Sequence, residues 1–274
     1  MAINRFAALF LVLAFSATAH AYIQVSIESG QGVQGPLYPF EVRDYSLLID
    51  NNSGVPRSNV EVAMRAGDGV AFVLGGRQTA ERYFTLLSMR PYWADVKRFS
   101  VKALPGFSGD GMLTADVNDG EGVESYIFYF PVDSNGLDVI AGVEGAPVPS
   151  GERTLSVSLA NSTAREMTGI VAKVLPSNGY AGVGELMVSS LAPGESVSGK
   201  SLGFSFGAEK PRGPVEVAVF FDDSRGAHRL EYGVGFPGVQ GSGRGEGNAA
   251  GVFAAISIAV VLALAFMHFN GKKA

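Results

Sequence analysis

The sequence predicts an all-β fold: two tandem antiparallel β-sandwiches, followed by one C-terminal transmembrane helix. Three observations carry this expectation. Apolar residues recur at every second position in many short runs punctuated by Gly, Pro, Asn and Asp, the signature of strands with one buried and one wet face. The pattern is written twice, 110 residues apart. A run of 19 uncharged residues, Ala249 to Met267, lies near the C-terminus.

The chain opens with a segment that reads as a secretory signal peptide over residues 1–21. Met1 to Arg5 carries one positive charge, Phe6 to Phe15 is apolar, and Ala19-His20-Ala21 places small residues at the two positions a signal peptidase reads. The first sandwich is expected over residues 22–133, beginning with a strand at Ile23 to Ile27. Tyr45, Leu47 and Ile49 then share one face, and Val60, Val62 and Met64 the next. Asn51-Asn52-Ser53 lies between these two runs. Thr79 to Met89 reads either as a helix capped by Thr79 or as a strand carrying Phe84, Leu86 and Ser88. Phe99 and Val101 follow. Leu113, Ala115 and Val117 then turn through Asn118 to Gly122 and return as Tyr126, Phe128 and Phe130, a hairpin with the Gly and Asp residues that tight turns use.

The second sandwich, residues 137–236, repeats this order. Leu137 to Val143 opens it, Leu155, Val157 and Leu159 lead into Asn161-Ser162-Thr163, and Ile170, Ala172 and Val174 follow in register at the same offset of 110. Leu191-Ala192-Pro193 answers Met89-Arg90-Pro91 at an offset of 102, so the first copy holds about eight extra residues around Ala71 to Tyr83. Phe204 and Phe206 are matched to Phe99 and Val101. Val215, Val217 and Val219 close the copy with the return run Leu230, Tyr232, Val234 and Phe236. Asp133 to Gly136 is a short polar joint, which predicts limited freedom between the two units.

Residues 237–248, with five glycines and almost nothing to bury, read as a tether of roughly 20 Å root-mean-square span. Residues 249–269 read as the membrane helix, whose uncharged run covers about 28 Å, close to the thickness of a bilayer's hydrocarbon core. Lys272 and Lys273 follow, so residues 270–274 are expected in the cytoplasm and the bulk of the chain outside. That bulk holds 18 Lys and Arg (the chain's 21 less Arg5, Lys272 and Lys273) against all 26 Asp and Glu, a formal charge of −8. Such a balance argues against nucleic acid as a partner. Cysteine is absent, so each core must hold itself without disulfides.

Three stretches of the second copy point to a family: the strand ending in Asn161-Ser162-Thr163, the turn LAPGES at Leu191 to Ser196, and the hairpin VAVFFDDSRG at Val217 to Gly226. Their order resembles the cell-adhesion-related, immunoglobulin-like domain family of archaeal and bacterial surface proteins, including those associated with S-layers. The resemblance is good over 137–236 and looser over 22–133, where Tyr92 and Trp93 replace Gly194 and Glu195. It implies β-sandwich modules that space, attach or bind, without an active site.

The chemistry-bearing residues are few. His228 is the one histidine of the exterior portion, two residues past a hairpin glycine, where an exposed strand position is the default. It has no second His or Cys to complete a metal site and no nucleophile motif beside it. Asp116, Asn118, Asp119 and Glu121 in DVNDGEGVE miss the EF-hand spacing but could form a looser calcium site at a turn. Asn51 and Asn161 are glycosylation acceptors by pattern, or ordinary turn asparagines. Tyr92 and Trp93 are a candidate contact pair if exposed, although large aromatics more often pack in cores.

The expectation is a non-enzymatic, cofactor-free, single-pass cell-surface or envelope protein. Its exterior would be structural or adhesive and would meet a protein or glycan, and its helix would meet membrane lipid. The alternative is a non-catalytic accessory subunit of a membrane transport or translocation complex.

Overall fold

The computed structural model describes residues 23–30, 35–143, 151–206 and 213–235. The expectations for the signal peptide, Phe236, the tether, the transmembrane helix and the cytoplasmic tail lie outside these residues. Every described element is a strand, and all pairings between them are antiparallel.

The first half contains β1 (Ile23–Ser29), β2 (Val42–Asn51), β3 (Arg57–Ala66), β4 (Val70–Leu74), β5 (Arg77–Thr79), β6 (Glu81–Met89), β7 (Trp93–Ala103), β8 (Gly109–Asn118) and β9 (Val123–Val132). They form two sheets, in the orders β1-β2-β7-β4-β5 and β6-β3-β8-β9. The second half contains β10 (Leu137–Val143), β11 (Gly151–Asn161), β12 (Met167–Val174), β13 (Tyr180–Val183), β14 (Leu186–Leu191), β15 (Ser196–Phe206), β16 (Val215–Asp223) and β17 (Gly226–Val234). Its sheets run β10-β11-β15-β13 and β14-β12-β16-β17. Removing β5 makes the two halves topologically identical.

Each half closes around its own core, because the alternating apolar residues of both its sheets turn inward. Tyr45, Leu47 and Ile49 meet Val60, Val62, Leu113 and Phe128 in the first core; Leu155, Val157 and Leu159 meet Ile170, Ala172, Val217 and Leu230 in the second. The ambiguous stretch Thr79 to Met89 is a strand, β6, whose Phe84 and Leu86 sit opposite Val62 and Val60. The extra residues of the first copy make the β4–β5 hairpin, turned by Gly75-Gly76.

One sequence match is corrected. Tyr45 pairs with Phe99 and Leu155 with Leu202, so Phe99 and Val101 correspond to Leu202 and Phe204, two residues earlier than the alternation alone indicates. A bulge between Val157 and Leu159 shifts the register of β11 against β15. The turns that precede β7 and β15 are also more alike than their sequences. Tyr92 takes φ 55°, in the same left-handed region as Gly194 at φ 76°, although a non-glycine residue there is disfavoured.

Between the halves, the chain before β2 divides its side chains between both cores. Leu37 enters the first core, and the next residue, Tyr38, enters the second. Leu37 is pinned by backbone hydrogen bonds to Pro131 and Asp133, and Phe40 accepts one from the Glu231 amide of β17.

Candidate functional site

The densest group of ionisable side chains lies where these two halves meet. His228 on β17 is 3% exposed, beneath Tyr38 and stacked on Phe221. Its Nδ1 lies 3.2 Å from Glu41 Oε1 and its Nε2 lies 2.9 Å from Asp223 Oδ1. The same Glu41 oxygen accepts from Arg43 Nε and Nη2 at 3.0 and 2.8 Å, and Glu41 Oε2 accepts from the Tyr38 amide at 2.7 Å. The Tyr38 hydroxyl donates to Asp223 Oδ2 at 2.5 Å. Arg225 lies over the Tyr38 ring at 3.9 Å and reaches Asp133 and the Pro36 carbonyl, each at 3.1 Å. Glu41 and Arg43 thus come from one copy, Asp223, Arg225 and His228 from the other, and Asp133 from the joint.

The electrostatics fit a clamp. Burial alone would raise the Glu41 carboxyl, but the His228 hydrogen bond and the Arg43 charge hold it below its ordinary value. Asp223 is likewise held low, against its burial, by hydrogen bonds from Tyr38, the Arg225 amide and His228. Burial and the bond to Asp223 push the Tyr38 hydroxyl up to about 12. Beside this group, burial lowers Lys102 on β7, opposed by the facing charges of Glu231 and Glu216 from the other half. Every carboxylate of the cluster already has a partner, and the histidine is covered by two aromatic rings. The expectation that His228 is an exposed strand residue is therefore corrected. Its side chain continues the inward stripe of Leu230, Tyr232 and Val234 by one further step of two.

The two Asn-x-Ser/Thr triplets form the same hydrogen-bonded turn. Asn51 Nδ2 donates to the carbonyls of Val55 and Arg90, each at 3.0 Å; Asn161 Nδ2 donates to those of Arg165 at 2.7 Å and Leu191 at 3.0 Å. Asn51 Oδ1 accepts from the amide and hydroxyl of Ser53, and Asn161 Oδ1 from those of Thr163. Each asparagine is 1% exposed. These bonds give Asn51 and Asn161 the role of turn asparagines, the second of the two readings of the triplets, and a glycan on either Nδ2 would have to displace them. A tyrosine accompanies each turn: Tyr126 donates to the Ile23 carbonyl and Tyr232 to that of Leu137, both at 2.7 Å. Ile23 and Leu137 pair with Asn51 and Asn161.

The acidic turn of the first copy holds its own cation. Arg57 Nη1 lies 2.5 Å from Glu121 Oε1 and 3.6 Å from Asp119 Oδ2. Asp119 Oδ1 accepts from the Glu121 and Gly122 amides, and Asn118 Oδ1 from that of Gly120. Asp116 points elsewhere, bonding Arg65 and Ser125. These four residues do not converge, and no group of three or more His, Cys, Asp or Glu side chains among the described residues is placed to hold a metal ion. The calcium expectation for Asp116, Asn118, Asp119 and Glu121 is corrected accordingly.

Tyr92 and Trp93 stand outside the core, 77% and 57% exposed, with Arg90 over the Trp93 ring at 5.9 Å. On the outer face of the sheet β6-β3-β8-β9, Tyr83, Leu87, Ile127 and Tyr129 are also exposed. Strand pairing equates these six with Gly194, Glu195, Glu185, Ser189, Gly233 and Gly235 of the second copy. One copy is apolar where the other is small or polar.

No protein-family model matches the chain, and no curated protein matches it. Among solved structures it is similar to a red sea bream transglutaminase, at 18% identity and a TM-score of 0.32, over 79% of this chain and 32% of that one. It is also similar to the CARDB domain of a Pyrococcus furiosus protein. The solution NMR structure of that domain aligns at 17% identity and a TM-score of 0.30, over 41% of this chain and 95% of that one. Its crystal structure in complex with di-metal ions aligns at 16% and 0.28, over 43% and 95%. This chain spans about a third of the transglutaminase's length, and likenesses at these identities and scores carry no argument about activity.

Proposed function

We propose that this chain is a non-catalytic surface protein: a membrane-anchored pair of fused immunoglobulin-like sandwiches that presents a binding face outside the cell. One observation carries the reading. Two copies of one scaffold have diverged on their outer surface, and only the first bears Tyr83, Leu87, Tyr92, Trp93, Ile127 and Tyr129 in the open. The second copy folds with the same topology without them, so the scaffold does not require these side chains. Four of these stand on the outer face of one sheet and Tyr92 and Trp93 at the start of a strand of the other; clustered exposed aromatic and aliphatic groups are a feature of interaction surfaces. The ionisable groups that could do chemistry are instead engaged in joining the halves.

The membrane anchoring rests on the charge-free run Ala249 to Met267 and the lysines after it. The test is to express the full chain with a C-terminal tag, separate the membranes, and add protease from the outside. The protein is expected in the membrane fraction with its sandwiches cleavable and its tag protected. Recovery in the soluble fraction would overturn the anchored reading. Native mass measurement after detergent extraction is expected to find the chain without a stoichiometric polytopic partner, and such a partner would favour an accessory subunit instead.

A further inference from the structure

A cavity of about 530 Å³ opens on the first sandwich where β4 and β5 turn away from β7. Asp44 and Ser46 of β2, Arg98 and Ser100 of β7, Leu74 of the hairpin and Arg82 of β6 line it. Its size falls in the range of small-ligand sites. Ser100 Oγ donates to Asp44 Oδ1 at 2.6 Å, which fixes the carboxylate against the wall. Arg82 lies over the Phe84 ring at 5.5 Å. Among the described residues, neither Arg82 nor Arg98 is in an ion pair. Two guanidinium groups against one carboxylate leave the lining with one net positive charge, on a chain whose formal charge is −5.

The second copy shows that none of this is needed for folding. By strand pairing, Asp44, Arg82, Arg98 and Ser100 correspond to Thr154, Gly184, Ser201 and Gly203. All three charges are missing there, and so is the hairpin. β13 pairs with β15 there as β4 does with β7, but it lies against Gly203, where a Cβ would fall 2.6 Å from the Val183 carbonyl oxygen. The first copy therefore carries the hairpin and the charges together.

We infer that this cavity binds an acidic sugar, a saccharide bearing one carboxylate and several hydroxyls. This inference deepens the surface-binding reading above and rests on it. Arg82 and Arg98 supply the donors that recognise a carboxylate. Asp44, Ser46 and Ser100 offer acceptors and donors for ring hydroxyls, and Leu74 gives an apolar edge. Asp44 also sets the class: its negative charge would repel a compact inorganic anion but accepts hydrogen bonds from a polyol.

The test is titration calorimetry on the detergent-solubilised full chain, with a galacturonic acid trimer as probe and a galactose trimer and inorganic phosphate as comparisons. Saturable binding of the acidic trimer alone is expected, weakened about tenfold by Arg98→Ser or by Arg82→Ala, each the loss of one charge-assisted contact. Ser201→Ala, at the matching position of the second copy, is expected to leave binding unchanged. Circular dichroism on each variant confirms folding, and Arg98→Lys serves as a second variant that keeps the charge and is expected to retain part of the affinity. No binding by a folded chain, equal binding of the neutral trimer, equal competition by phosphate, or arginine variants that bind like the parent would each overturn the site. A membrane-inserted chain that fails the titration refutes this ligand and leaves the anchored surface reading standing.

Discussion

His228 reaches both a carboxylate of its own strand hairpin and one from 187 residues away. Removing such a partner leaves the buried Glu41 and Asp223 carboxylates without the ring nitrogens that both contact. His228→Ala is therefore expected to destabilise the protein by about 3–5 kcal/mol, read as a lowered denaturant midpoint. Asn161 acts through neutral bonds. Asn161→Ala would take the acceptor from the Thr163 amide and one donor each from the carbonyls of Arg165 and Leu191, at about 2–3 kcal/mol in the same measurement. An unchanged midpoint would count against either account. Both residues were legible in part. Asn51 and Asn161 continue the alternation of the strands before them, and His228 continues that of the strand after it, so the period of two already turns all three inward. Residue type argued the other way, since Asn and His at strand ends are usually wet, and period outweighed type. Asp223 and Glu41 continue the alternation of β16 and β2 in the same way, which turns them inward, but nothing local names what they meet there. Their partners lie in another copy or across a turn, and pairing over that distance is a property of the assembled fold.

At the scale of elements, the strands and their duplication could be read because alternation and turn residues are local. The eight-residue excess of the first copy was visible as a length difference. That it forms a hairpin at the free edge of β4 was not, because the short strand β5 (Arg77–Thr79) has no apolar alternation to announce it. The bulge, where Ser198 and Gly199 of β15 face Ser158 of β11 alone, was equally silent, since the apolar residues of β11 keep their spacing while the partner strand slips. The edge strands give a contrast that can be measured. Gly203→Ala would drive a Cβ into the Val183 carbonyl, so β13 must move away from β15, with a loss of about 1–3 kcal/mol. Ser100→Ala at the matching position of β7 is expected to stay within about 0.5 kcal/mol, since that site already accommodates a larger side chain. Hydrogen exchange at the amides of β13 should rise in the first variant, and a protected β13 there would contradict the proposed close approach.

For the molecule as a whole, the junction couples folding to acidity. Glu41 and Asp223 are both held below their ordinary values of 4.5 and 3.8 when folded. A depressed carboxyl contributes stability that is full above its unfolded value and is lost as pH falls through its folded value. The clamp is therefore expected to hold at neutral pH and to weaken as pH drops below about 4.5, the ordinary value for glutamate. Scanning calorimetry should show one coupled transition near neutrality and two separated ones in acid; two transitions at every pH would refute the clamp.

Leu37 and Tyr38, adjacent in the chain, anchor in different cores. In chain order, then, a residue made early waits for strands made much later: Tyr38 has no berth until Phe221 and His228 have followed it. A polypeptide emerging N-terminus first must carry that tyrosine uncovered past more than half its length, and the last sandwich to emerge cannot finish its interior without a fragment of the first.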